Sequence, residues 1–523
     1  MNRPYIIFPL SALVGFISLS QEIIWFRTLT YATAGDPKTF SYMLGFFLLG
    51  IAFGAWLAQY IIDRKRVNGF LFIFASLIAS SIILYFSIIL VSIIFTFNSE
   101  LAYIMSYLSV CVSSLLLGGI FPMLCHLGIK SPKNVGVSVS RVYLANIVGS
   151  TAGPLATGFV LMEMFRLDVI IAFFAVLSAA LGLALFLLSE KRPGAKASMA
   201  GGLVTLFLVI GFSHGTLYHE TLEKLQYKEN YGNHAQYKYV YQNRSGIIAI
   251  EESAEDIIYG GGIYDGRFNT NPLIRSNGIN RCYIIAALHP DPREVLEIGL
   301  SSGSWAKVIA SYRKVKSLEI IEINQGYLEA VGEYPENAEI FNDPKVKIHF
   351  DDGRRWLTRN KERRFDIIVM NTTFHWRMYI TNLVSEEFLR LAKSRLKPGG
   401  VLYYNSTGSQ DIPRTAAKVF KYVGMYSSFV AASDVPFALE PKDIGANLLL
   451  FINDGKPVFD LSQPQYRKVF NELAQNVIED KAADYRAESD TRIITDDNMV
   501  TEFTSAIDIY KPKWSWLNLF RRR

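Results

Sequence analysis

The stretch "VLEIGLSSGSW", Val295–Trp305, decides how this chain of 523 residues is read. Val295 to Ile298 is a short run with the character of a buried strand, and "GLSSG" is a turn. The residues from about Ser304 onward then open a helix. Gly299 and Gly303 permit a tight turn and close approach of the backbone to a ligand, while Ser301 and Ser302 fill the loop between them and are candidate cofactor-binding residues, as Asn371 is further on. The first turn of the helix offers free amide groups at the same place.

Working outward, strand-like runs alternate with helical ones. "VLEIG", "SLEIIEI", "VKIHF", "FDIIVMN" and "VLYYNS" are separated by "WAKVIASY", "GYLEAVGEY", "GRRWLTR" and "SEEFLRLAKSRL". This alternation predicts an open α/β sheet with helices on both faces. The later pair "SSFVAAS" and "NLLLFIN" is expected to close the sheet as a hairpin. In such a sheet, ligands bind beyond the carboxyl ends of the strands. Glu322 ends the second strand, about 20 residues after the glycine turn, where an acid can accept from both ribose hydroxyls. Asp351 and Asp352 follow the third strand, where a carboxylate can accept from an adenine amino group. "NTTFHW", Asn371–Trp376, follows the fourth and faces the reactive end of a cofactor. Asn371 and His375 are therefore candidate catalytic residues, His375 as a base near neutral pH. Thr372, Thr373, Trp376, Arg377, Tyr404 and Asn405 are candidate substrate-binding residues, with Arg377 suited to an anion. The full G-x-G-x-x-G of a dinucleotide site is absent, and so is the G-K-[ST] of a P-loop. An adenosyl nucleoside fits best.

The first half of the chain is different. Half of all residues are hydrophobic and the mean hydropathy is +0.20. Most of that excess lies before roughly residue 215, in apolar runs of spanning length. Seven spans are expected, at roughly 5–26, 39–62, 69–95, 101–128, 142–164, 168–189 and 197–215. Gly50 with Gly54, and Gly149 with Gly153, have the small-residue spacing that lets helix backbones approach in a bilayer. Pro122 and Pro154 suggest kinks. Glu22 and Glu163 lie at or near span ends, with Arg27 and Arg166 close by in sequence. They are read either as interfacial residues or as a gating site. The basic loops with Arg64–Lys65–Arg66, Lys130, Lys133, Arg141, Lys191, Arg192 and Lys196 fall on one face, which the charge rule makes cytoplasmic. With seven spans the soluble half then lies outside, whereas a nucleoside cofactor argues for the cytoplasm. The net charge of +6 is modest and gives no nucleic-acid signal. Cys111, Cys125 and Cys282 form neither a disulfide framework nor a metal cluster. The organisation expected is a multi-span membrane domain over 1–216, a small β-rich subdomain over 217–285, a nucleoside-binding α/β domain over 286–510 and a basic aromatic tail over 511–523.

"HPDPREVLEIGLSSGSW", "IEINQGYLEA", "DPKVKIHFDDGRRWL", "FDIIVMN" and "LRLAKSRLKPGGVLYY" resemble the spermidine synthase branch of the class I S-adenosylmethionine-dependent methyltransferase fold. "SLSQEIIWFRTLT" and "VYLANIVGSTAGPLATGFVL" resemble bacterial membrane proteins in which several spans are fused to such a domain. The resemblance implies a Rossmann-like fold after a small β domain, and a place in the bacterial inner (plasma) membrane. It also implies nucleoside contacts at Gly299, Gly303, Glu322 and Asp352. The donor it implies is S-adenosylmethionine or its decarboxylated form, without a metal. The family's amine chemistry uses acids where this chain has Ser302, Asn371 and Phe374. A polyamine is a polycation whose attacking nitrogen must lose a proton, and neither serine nor asparagine assists that well. The reading is thus an aminopropyl or methyl transferase with an unknown small-molecule acceptor, in contact with the lipid bilayer and with a second copy of itself as a candidate partner in a homodimer. The alternatives are a nucleoside sensor without turnover, or a transporter with an accessory nucleoside-binding domain.

Overall fold

The computed structural model describes residues 4–64, 68–128, 135–187, 193–371, 374–453 and 455–503. The first half is a bundle of α1 (Pro4–Ala32), α2 (Lys38–Asp63), α3 (Gly69–Phe95), α4 (Ser99–Gly128), α5 (Val135–Met164), α6 (Leu167–Leu187) and α7 (Pro193–Leu217). Among the described residues, α1 to α6 are long and apolar enough to cross a membrane. Seven such helices were expected. The stretch 197–215 lies in α7, whose side chains are described only in part, and it is not among the six. The tail at 511–523, with Lys65, Arg66, Lys130, Lys133, Lys191 and Arg192 of the orienting loops, lies outside the described residues.

Glycine sets the helix contacts. A Cβ on Gly149 of α5 would overlap the Ala12 carbonyl oxygen of α1 and stand 2.6 Å from its carbon. One on Gly153 would be 3.1 Å from the Phe16 carbonyl carbon, and Gly50 and Gly54 of α2 meet the Cys111 and Leu115 carbonyls of α4 in the same way. Such backbone proximity is what holds helices together where lipid and side chain are equally apolar. Pro154 has no N–H to give, and the turn that follows it, Ala156–Leu161, is a π-helix. Gln21 is buried at the centre, donating to Ser80 (3.3 Å) and accepting from Ser113 (2.8 Å).

The second half, expected to be β-rich from 217, begins with a short helix, Thr221–Tyr227, and a 3-10 turn, Lys228–Asn233, before β1 (Tyr237–Asn243), β2 (Gly246–Glu251), β3 (Ile257–Gly260) and β4 (Ile263–Arg267), an antiparallel meander. The main sheet contains β5 (Glu294–Ile298), β6 (Ser317–Glu322), β7 (Val346–Phe350), β8 (Phe365–Met370), β9 (Leu396–Asn405), β10 (Tyr422–Tyr426) and β11 (Phe429–Ser433). Its order is β10-β11-β9-β8-β5-β6-β7, with β7, β6, β5, β8 and β9 parallel and β11 and β10 antiparallel at one edge. The chain reverses its winding between β5 and β8, so the crevice of a Rossmann-like sheet opens at their carboxyl ends. The closing hairpin is β10–β11. "NLLLFIN" was expected to pair with "SSFVAAS", but it instead ends the helix Pro441–Leu448 and leads into a separate two-stranded ribbon. Strands from apolar runs alone are easily confused with buried helix ends.

The two halves touch. Arg27 Nη2 of α1 donates to the Asn243 carbonyl (2.5 Å), and Glu163 accepts from the Arg244 N–H (3.2 Å) while pairing with its guanidinium (3.7 Å). Arg27 and Glu163, two of the four charged residues singled out near span ends, therefore fasten the β1–β2 turn to the bundle.

Candidate active site

The loop after β5 is built as the sequence requires. Gly299 has φ +94°, and nothing lies within 4 Å of where its Cβ would be, so the space over the end of β5 is open. Gly303, at φ +71°, caps the helix α8 (Ser304–Ser311). Ser301 and Ser302 differ from expectation. Ser301 Oγ donates to the Asp265 carbonyl (2.7 Å), and the buried Ser302 Oγ donates to the Arg267 carbonyl (2.8 Å) beside Ser304 Oγ (2.9 Å). These hydroxyls stitch the glycine loop to β4, leaving mainly backbone to face a ligand.

Glu322 ends β6 and is 3% exposed. Its two oxygens accept from the Leu300 N–H (2.7 Å) and the Asn324 N–H (2.8 Å). Burial pushes its carboxyl up to about 7, against the opposing pull of those backbone donors. The folded value lies above the unfolded one, so the contribution of this group to stability is complete below the unfolded value near 4.5. It is lost as pH rises through about 7. A ligand whose hydroxyls donate to Glu322 favours the ionised form. Nucleoside binding should therefore release a proton near pH 7 and tighten as pH rises through that value. Calorimetry in buffers of different ionisation enthalpy reads this directly, and a binding heat independent of buffer would contradict it.

Asp352, after β7, accepts from the Arg355 N–H (2.8 Å) and caps the helix Gly353–Arg359. Asp351 is engaged by Arg355 and Arg359 of that helix, the latter at 3.7 Å. Asp351 is thus occupied by its own helix, and Asp352 keeps one oxygen uncommitted to that cap. After β8, Asn371 Oδ1 lies 3.5 Å from Asn405 Nδ2, which brings the ends of β8 and β9 together. Thr372 and Thr373 lie outside the described residues. His375, expected to face the reaction, is only 2% exposed, and Thr407 Oγ1 meets both its N–H (2.9 Å) and its Nδ1 (2.8 Å). It roots the loop, which a lone histidine beside a tryptophan does not reveal in sequence. Trp376 packs with Ala34, Ile263 and Phe374. Tyr404 is a correction. It is fully buried on the opposite face of the sheet, among Ile368, Met370 and Leu402, and among the described residues its hydroxyl has no hydrogen-bond partner. Strand alternation puts Tyr404 and Asn405 on opposite faces, so only one of them can face the cleft.

Three residues that sequence reading passed over complete the crevice. Asp265 of β4 accepts from Tyr327 Oη (2.5 Å). Burial raises its carboxyl, while Tyr327 and the charge of Arg377 pull it down. Gly35, in the loop between α1 and α2, accepts from the Met378 N–H (2.8 Å). A Cβ there would be 3.0 Å from Arg377 Cγ. The signal for Asp265 was an acid inside the strand of "GIYDGRF". The contact with Gly35 has no local signal, because it joins segments more than 300 residues apart.

Comparison with known proteins agrees with this architecture. Residues 284–434 match the spermine/spermidine synthase domain. Among curated relatives, the polyamine aminopropyltransferase of Streptococcus pneumoniae is 32% identical over 123 residues, 23% of this chain and 42% of the relative. That of Leptospira biflexa is 30% identical over 146 residues, 26% and 51%. That of Aeropyrum pernix is 26% identical over 157 residues, 28% and 50%. The chain spans about half the length of these relatives. A spermidine synthase crystallised with the transition-state analogue AdoDATO is 20% identical. The match covers 46% of this chain and 89% of that one, with a TM-score of 0.36.

Proposed function

We propose that this protein is a membrane-embedded transferase that moves an alkyl group from an adenosyl sulfonium donor to a small-molecule nucleophile. One observation carries the reading. Gly299, Glu322 and Asp352 stand at the ends of three adjacent parallel strands, with open space over Gly299. That row matches a nucleoside laid across the strand ends, with its ribose at Glu322, its base toward Asp352 and its sulfonium toward Asn371. In the reaction, a lone pair on the acceptor attacks a carbon bonded to sulfur. The carbon–sulfur bond breaks, and its electron pair returns to sulfur to leave a neutral thioether nucleoside. The acceptor sheds a proton. Ser302, Asn371 and Phe374 supply no carboxylate for that proton, whereas Asp265 is an acid joined to the glycine loop through its backbone carbonyl, which accepts from Ser301. Six apolar helices and the contacts of Arg27 and Glu163 with the β1–β2 turn support attachment to a membrane.

The test is titration of the purified full-length protein with 5′-methylthioadenosine, the thioether nucleoside left when an aminopropyl group departs. Saturable binding at one site is expected, and its absence would remove the transferase reading. One observation favours a second reading: Met378, in the loop after β8, is bonded to the loop that ends α1, a path by which occupancy can reach the bundle. Tight nucleoside binding with no thioether product across an acceptor screen would select a sensor.

A further inference from the structure

The cleft holds two opposite charges that the chemistry above does not need as a pair. Asp265 Oδ2 and Arg377 Nη2 both reach the turn between β3 and β4. A Cβ on Gly260 would stand 3.4 Å from Asp265 Oδ2, and one on Gly261 would stand 2.5 Å from Arg377 Nη2. At Gly260 the space is taken by Tyr327 Oη, which such a Cβ would overlap, and Gly261 has φ +61°, a conformation that favours glycine. Arg377 is held at its backbone and along its stem. Its N–H donates to the Phe374 carbonyl (3.0 Å), and its aliphatic stem lies against Gly35. Among the described residues its guanidinium forms no ion pair, although it lies within electrostatic reach of Asp265 and Tyr327. Asp265 is linked to the glycine loop through its own carbonyl, which accepts from Ser301. The positions of the missing acids, Ser302, Asn371 and Phe374, add no negative charge.

A fixed carboxylate and a fixed guanidinium at one end of a nucleoside cleft complement an α-amino-acid zwitterion. The carboxylate takes the ammonium and the guanidinium takes the carboxylate. The two candidate donors differ in this respect. Intact S-adenosylmethionine carries both groups on its tail, and the decarboxylated form carries the ammonium alone. Toward the second, Arg377 contributes only repulsion of a cation.

We infer that Asp265 and Arg377 form the subsite for the amino-acid tail of intact S-adenosylmethionine, which makes the transferred group a methyl. This rests on the nucleoside reading above, and the experiment separates the two. The full-length protein is titrated with S-adenosylmethionine, its decarboxylated form and 5′-methylthioadenosine, which lacks the charged tail. The wild type should bind S-adenosylmethionine at least about tenfold more tightly than the decarboxylated form, the difference expected of one charge-assisted bidentate contact. Arg377→Ala should lose about that factor for S-adenosylmethionine while binding 5′-methylthioadenosine within about twofold of wild type. Asp265→Asn should weaken both charged donors and spare the tail-less nucleoside. Unchanged binding of the latter also certifies that each variant is folded. Equal or tighter binding of the decarboxylated donor by the wild type overturns the inference. So does an Arg377→Ala loss shared equally by all three nucleosides, or no loss at all. If the wild type fails to bind 5′-methylthioadenosine, the transferase reading falls first.

Discussion

Glu322→Gln is expected to reduce affinity for 5′-methylthioadenosine by a factor on the order of a hundred, and to destabilise the glycine loop at the same time. The carboxylate accepts from two backbone donors, Leu300 N–H and Asn324 N–H. A glutamine amide has one acceptor and one donor group, so one of those buried N–H groups must face an NH₂. An unsatisfied buried donor costs about 1–3 kcal/mol. The remaining lone pairs of Glu322 are those proposed for the ribose hydroxyls, and hydrogen bonds to a charged group are worth about 1.5–3 kcal/mol each. Losing the charge weakens both. Calorimetric titration reads the affinity, and thermal unfolding reads the loop. A variant that keeps wild-type affinity would mean that the ribose does not rest on Glu322. The proton release near pH 7 should vanish in the same variant, which ties this experiment to the pH dependence described above.

Gly149→Leu should cause the largest loss of stability of any single change in the bundle. The position has no room, since even a Cβ overlaps the Ala12 carbonyl and the obstacle is backbone, which cannot rotate away. Overpacking a well-fitted site typically costs about 1–3 kcal/mol and occasionally more, and the upper end applies where helices must separate. The expected result is a clear fall in the melting temperature of the detergent-solubilised protein. Gly45→Leu is the control, because a Cβ on Gly45 meets nothing within 4 Å. Equal melting temperatures for the two variants would refute the close α1–α5 contact.

The amino-acid pattern by itself determined the architecture. Runs of spanning length, a switch to alternating strands and helices, and glycines at Gly299 and Gly303 are local signals. Each follows from what a backbone must do in lipid, in a sheet or in a tight turn. The row Gly299, Glu322, Asp352 was legible for the same reason, since in a parallel sheet the residue after each strand falls on one edge. Tertiary structure alone decided which neighbours those residues have. Ser302 donates to the Arg267 carbonyl, and His375 meets Thr407. Tyr404 turns to the far side of its sheet, whereas Asn405 does not. Asp265, Arg377 and Gly35 come from three distant segments. They meet because the β-meander and the end of α1 fold over the same crevice. Local sequence encodes conformation through short-range sterics and periodic burial. A contact across hundreds of residues depends on how finished elements pack, and no window of sequence contains that information.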